Sequence, residues 1–247
     1  MSATRRSWRK GRAISTRRRI LLAGHGAPRH AAAQQSIIAQ AAALAAATGA
    51  VVQPGFLTAE PSVASAVSAL GEGPVTVLPM FMADGYLVRT AVPRALGRSA
   101  QILPPLGVMP GLAAVISTRA RSACAATGID PASSTLLLVG HGSARSDASR
   151  RAVLAQARLV ADMALFRMIE TAFIEEAPSI DDQCRQILGD VVVMGFFAAP
   201  GGHASEDVPR LIADDPWGAT RRLVYAGAVG ADPAIVPLLA DAITGIG

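Results

Sequence analysis

Thr135-Leu136-Leu137-Leu138-Val139-Gly140-His141-Gly142-Ser143 reads as a short buried strand that stops in a Gly-His-Gly-Ser turn. An unbroken run of apolar and β-branched residues suits a strand covered on both faces, as in a parallel α/β sheet. The two glycines allow a tight turn, and Ser143 is expected to cap the helix that follows. A histidine is thereby placed at the carboxyl end of a strand, where open α/β sheets build their sites.

The stretch has a counterpart near the start, Arg19-Ile20-Leu21-Leu22-Ala23-Gly24-His25-Gly26-Ala27, with His25 lying 116 positions before His141. Further pairs follow in the same order and at nearly the same offset. Phe56–Val63 answers Phe173–Ile180, Val75–Phe81 answers Val191–Phe197, and Val92-Pro93-Arg94 answers Val208-Pro209-Arg210. The chain is a tandem duplication of an α/β unit of about 115 residues, an ordinary domain size. The expected division is a basic tail over residues 1–18, a first unit over 19–130 and a second over 131–247.

Composition narrows the function. The 247 residues are 51% hydrophobic but only 4% aromatic, so the core is aliphatic and small. No apolar run reaches the roughly 18 residues needed to span a bilayer. Cys124 and Cys184 form neither a disulfide framework nor a zinc signature, and a reducing cytoplasm is the simplest setting. Eight of the 23 basic residues fall within residues 1–19, which carry no acid; the remainder has 15 basic against 18 acidic residues. The basicity therefore belongs to the tail, and neither nucleic-acid binding nor a membrane is expected.

Strands are expected over Ile20–Ala23, Val51–Phe56, Val75–Met80, Thr135–Val139, the segment ending at Glu175, Val191–Phe196 and Leu223–Ala226, with an edge segment at Ile102. Helices are expected over Ala31–Ala47, Val63–Leu70, around Val92–Leu96, Ala113–Ala125, Asp147–Leu165, Ile180–Leu188, from near Asp207, and Pro233–Thr244, with Ser62 and Ser179 as caps. This alternation predicts two parallel sheets flanked by helices.

Three second-half residues fall just beyond strand ends: His141, Glu175 and His203, the last in the loop Ala198–His203. Carboxyl ends of adjacent parallel strands share one sheet edge, so all three can face one crevice. Two imidazoles and a carboxylate are a usual set for a divalent first-row metal with open coordination positions. A lone Gly-His-Gly is equally well explained by a turn whose imidazole caps a carbonyl. A nucleophile elbow is excluded because glycine, not serine, is central in Gly140-His141-Gly142-Ser143-Ala144. The turn could also bind phosphate, but no P-loop lysine or Gly-x-Gly-x-x-Gly supports a nucleotide.

Three stretches together, Leu137–Ser143, Ala172–Ile180 and Phe196–Pro209, resemble the CbiX/SirB sirohydrochlorin chelatases, class II tetrapyrrole chelatases related to the ferrochelatase-like enzymes. The resemblance spans Arg19 to about Ala240, in two copies. It implies two α/β domains facing across a cleft that holds the active site, with a divalent metal inserted into sirohydrochlorin for cobalamin or siroheme. The implied metal is Co²⁺, with Fe²⁺ or Ni²⁺ as alternatives; no prosthetic group is implied, and the molecule is expected as a monomer or homodimer. By position, His141 and His203 match the family's metal-binding histidines and Glu175 its acidic residue. The first half departs from the pattern: His25 is kept, but Thr58 stands where Glu175 stands and Leu87, beside Tyr86, opposite His203. Ferrochelatase-like relatives carry their working residues in the second half, as here. Sirohydrochlorin carries eight carboxylates, for which Arg145 and Arg89 are candidate rim contacts, with Ser143 and His25 as further wall residues. A non-catalytic metal or tetrapyrrole carrier is the other class of reading.

Overall fold

The computed structural model describes residues 17–213 and 221–245. The basic segment up to residue 16 lies outside them; of its last residues, Arg18 donates a hydrogen bond to the carbonyl of Ile243. The first half runs β1 (Arg19–Gly24), α1 (Ala31–Thr48), β2 (Val51–Phe56), α2 (Val63–Leu70), β3 (Val75–Pro79), α3 (Val92–Leu96), β4 (Gln101–Ile102) and α4 (Leu112–Thr127). The second runs β5 (Thr135–Gly140), α5 (Ala148–Ala161), β6 (Met168–Phe173), α6 (Ile180–Gln186), β7 (Val191–Gly195), α7 (Val208–Ala213), β8 (Leu223–Ala228) and α8 (Ile235–Thr244). All strands pair in parallel, in the orders β2-β1-β3-β4 and β6-β5-β7-β8. The two parallel sheets flanked by helices are the architecture read from the sequence.

The repeat extends to fine detail. Ser62 and Ser179 both cap the helices that follow them, each accepting from the amide three residues on, and Ser179 completes a capping box with Asp182. The peptide bonds Glu60-Pro61 and Ala177-Pro178 are both cis. A π-turn precedes α3 at Leu87–Ala91 and another precedes α7 at His203–Asp207, so Leu87 and His203 are structural counterparts.

Two elements differ from expectation, α5 in its cap and its end and β6 in its end. α5 starts at Ala148, next to the expected Asp147, and residues 143–147 form a turn before it in which the Ser143 hydroxyl accepts from the Arg145 amide. Ser143 is therefore not the cap of that helix. α5 also ends at Ala161, because Ala164 takes a left-handed conformation (φ 52°) and turns the chain so that Phe166 is buried. β6 stops at Phe173, two residues short of Glu175.

The pleat of each first strand divides its side chains between two cores. Leu21 and Ala23 point to an outer cluster with α2 and α3, and Leu137 and Val139 to another with α6 and α7. Ile20, Leu22, Leu136 and Leu138 all join one inner cluster that runs through both halves. That shared core arises because the last helix of each half crosses over: α4 packs on β7, β8 and α5, and α8 packs on α1.

Two buried glutamines at equivalent positions pin this arrangement. Gln40 on α1 donates to the carbonyl of Gly230 in the second half, and Gln156 on α5 donates to the carbonyls of Gly107 (3.1 Å) and Met109 (2.9 Å) in the first. Gln156 is 1% exposed, and replacing it would leave two buried carbonyls without these donors. Gln156→Leu is expected to lower stability by about 1–3 kcal/mol, read as a shifted urea midpoint at unchanged slope. An unshifted midpoint would mean that the cross-half bonds contribute nothing net.

Candidate functional site

In a parallel sheet ordered β6-β5-β7-β8 the strand order reverses between β5 and β7, and the crevice outside their carboxyl ends is the usual ligand position. His141 follows β5 and His203 stands on the turn after β7. Their imidazoles meet edge to face, with ring centroids 4.6 Å apart and planes at 86°.

The His141 turn is held from below. Gly142 has φ 75°, a conformation open to glycine, and a Cβ there would lie 2.7 Å from Cγ of Glu176 and 3.0 Å from Cβ of Phe173. Its amide donates to the Ser149 hydroxyl (3.3 Å). Glu176 accepts from the Ser143 amide (3.4 Å) and is paired with Arg150 (3.0 Å), whose guanidinium lies 4.6 Å from the centre of the Phe173 ring. The turn, β6 and α5 are thus bound through one charged, partly buried contact.

Glu175 reaches His141 through the backbone. Beyond the strand ends the Ile174 amide donates to the Gly140 carbonyl (3.1 Å) and the Glu175 amide to the His141 carbonyl (2.9 Å). The carboxylate lies 3.5 Å from Nδ1 of His141, which is also 3.0 Å from the Gly142 carbonyl. In the first half the Thr58 amide makes the same bond to the His25 carbonyl (2.9 Å), and its hydroxyl donates there too (2.8 Å). The Thr58 side chain is spent on the backbone and offers His25 no charge.

His203 opens the π-turn His203–Asp207, an element often found where a helix is distorted to serve a site. The turn brings the Asp207 carboxylate to 2.7 Å from Nδ1 of His203, and Arg210 lies 3.3 Å from the same carboxylate. Phe197 stacks along the ring at 6.4 Å. With Nδ1 of both imidazoles turned toward oxygen atoms, the Nε2 atoms are left for a ligand. His141, Glu175 and His203 are half-exposed, at 42, 53 and 43%. Among the described residues no three His, Cys, Asp or Glu side chains form a ready-made metal cage.

The other expected residues are distributed around this centre. His25 lines a cavity of about 180 Å³ with Gln34, Ile37, Phe56 and the segment Ala198–Gly201 that leads into His203. Arg145 is exposed beside the Ser143 turn, its guanidinium without an ion pair among the described residues. Arg89 is committed elsewhere: it holds Asp84 through two hydrogen bonds (2.8 and 3.1 Å), which keep that carboxyl below its ordinary pKa, in a concavity with Pro93 and Ile102–Pro105.

Sequence reasoning missed Asp207 as a partner of His203. It placed Asp207 at the start of a helix, whereas the helical turn begins four residues earlier. It also missed Glu176, Arg150 and His30, whose contacts join segments distant in sequence.

The CbiX family model matches the chain twice, over residues 19–123 and 135–245. The chain belongs to the CbiX family. A probable sirohydrochlorin cobaltochelatase of Halobacterium salinarum is 25% identical to this CbiX-family chain over 229 residues, spanning 74% of this chain and 75% of that one. A solved structure described as CbiX, the terminal enzyme for biosynthesis of siroheme in denitrifying bacteria, matches with a TM-score of 0.80 and 29% identity, over 93% of this chain and 100% of that one. SirB from Bacillus subtilis, solved with Fe³⁺, has the same fold, with a TM-score of 0.73 at 18% identity over 92% and 94% of the two chains. Among the described residues no helix is long and apolar enough to cross a membrane.

Proposed function

We propose that this chain is a sirohydrochlorin chelatase that inserts Co²⁺ and releases two protons. The observation that carries the reading is the meeting of His141 and His203 at the β5/β7 switch point, each ring anchored through Nδ1. Nε2 of each would ligate the incoming ion, and the half-exposed site leaves the remaining positions to water and then to pyrrole nitrogens. A metal that must be handed on is better served by two ligands than by a closed cage, since a closed site is the mark of structural binding. Insertion removes water from the ion and one proton from each of two pyrrole nitrogens. Glu175, beside His141, serves as a further ligand or as the relay for those protons.

Membership of the CbiX family and the curated name of the Halobacterium relative support this reading. Iron insertion for siroheme is the second reading, favoured by the siroheme description of the structure that matches over its full length. Imidazole and carboxylate ligands do not separate Co²⁺ from Fe²⁺, because both ions suit them and availability decides. The first half, residues 19–130, is proposed as the opposing wall and the second, 131–247, as the bearer of the ligands. Rim carboxylates of the substrate would meet Arg145, an exposed cation without an ion pair among the described residues, and Ser143.

Purified protein mixed anaerobically with sirohydrochlorin and either Co²⁺ or Fe²⁺ should accelerate the absorbance change of metallation over the protein-free rate. The faster ion decides between the two readings. No acceleration with either ion would leave a carrier and defeat both.

A further inference from the structure

The first half has lost the ligands that the second half keeps, yet the loop after β1 carries a histidine that reaches across to the second half. His30, just before α1, lies 3.5 Å through Nδ1 from the carboxylate of Glu206. Its ring also fills the space in front of Gly202: a Cβ at that glycine would lie 2.8 Å from Nε2 and 3.1 Å from Cε1 of His30. Gly202 immediately precedes His203 and Glu206 follows three residues later, so one imidazole touches the π-turn on both sides of His203. The contact continues along α1, where Ala33 lies 4.0 Å from a Cβ built at Gly201.

The repeat shows what is special here. The counterpart of His30 is Ser146, which accepts a hydrogen bond from the Ala148 amide, and the counterpart of Gly202 is Tyr86, 66% exposed. At the reciprocal place a Cβ built at Gly85 would lie 3.8 Å from Cβ of Ala148. An imidazole is thus seated against the π-turn that bears His203, where the π-turn that bears Leu87 has Ser146 at the corresponding position.

We propose that His30 is a positioning residue supplied by the first half: it seats the Gly202–Glu206 segment and so fixes where His203 presents Nε2. The proposal rests on the reading of His203 as a metal ligand. Residues that orient a ligand typically change metal affinity by about 10–100-fold when removed, and the lower end suits a contact to the backbone rather than to the ring.

The test is a direct Co²⁺ titration of the intact protein, followed by its d–d absorption, on four forms: wild type, His30→Ala, Gly202→Ala and the double variant. His30→Ala should weaken Co²⁺ binding by about tenfold through loss of the seat. Gly202→Ala should weaken it too, because the new methyl meets the ring. In the double variant the methyl enters the space the ring vacated, so its affinity should lie well above the product of the two single losses. His30→Gln, which restores bulk and a donor, should recover part of the loss. A purely structural His30 would lower the unfolding midpoint in all variants and leave Co²⁺ affinity of the folded protein unchanged, which would overturn the proposal. Simple additivity of the two single effects would overturn it as well. Wild-type protein that binds Co²⁺ with this pattern but accelerates no metallation would defeat the chelatase reading and leave the role of His30 standing.

Discussion

His203→Ala is expected to reduce sirohydrochlorin metallation by at least about a hundredfold, the lower range for removing a group that handles protons or metal at the reacting centre. The side chain is half-exposed and meets the core only at the edge of Phe197, so its loss removes little core packing. Thermal unfolding should be almost unchanged, and the Co²⁺ absorption signal should be lost with the activity. His141→Ala should behave alike, because one imidazole cannot form the pair. His25→Ala provides the contrast: its ring faces an apolar cavity, with Thr58 where a carboxylate would stand. If His25→Ala destroyed activity and His203→Ala spared it, the ligands would belong to the first half.

The second large effect is expected at Asp207. Its carboxylate accepts from Nδ1 of His203 at 2.7 Å, which fixes the tautomer with the Nε2 lone pair free. Asp207→Ala should weaken Co²⁺ binding by about 10–100-fold, because the ring loses both its orientation and its tautomer preference. Asp207→Asn keeps an acceptor oxygen without the charge, so it should recover the orientation and hence much of the affinity. The loss in Asp207→Ala should appear mainly as a higher metal concentration at half-saturation, with a smaller fall in the limiting rate. Equal behaviour of the alanine and asparagine variants would place the effect in charge rather than geometry.

Much of the fold was legible because its signals are local and occur twice. The apolar strands ending in Gly-His-Gly, the serine caps at Ser62 and Ser179 and the proline punctuation each follow from short-range physics, and duplication removed accidental matches. His141 was legible for the same reason, its counterpart being His25, whereas His203, whose counterpart is Leu87, stood out only as a histidine in the glycine-rich loop after β7. Ser143 was misread because a cap residue signals that a helix is near but not how many loop residues intervene. The His203–Asp207 pair was hidden by composition. Gly-Gly before His203 reads as loop, and a spacing of four means proximity only once a helical turn is known to start at the first residue. His30 was hidden for a different reason, since nothing in its own segment announces contact with Gly202. The crossing of α4 and α8 was equally silent: periodicity shows that a helix has a buried face, not which sheet will bury it.

The interleaving of these two helices has a mechanical consequence. A cleft between independent lobes adapts to its guest by hinge motion, since the lobes meet through a modest, separable interface. Here the walls are continuous with one close-packed interior, and a rigid swing would tear apart side chains of Ile20, Leu136 and their neighbours. The jaws are therefore fixed relative to each other. If the chain handles a flat macrocycle as proposed, adjustment to it would fall to side chains at the opening rather than to a swing of the halves. On the proposed reading the macrocycle would meet one preformed slot, with the His203 turn seated by His30 of the other half rather than carried on a moving lobe.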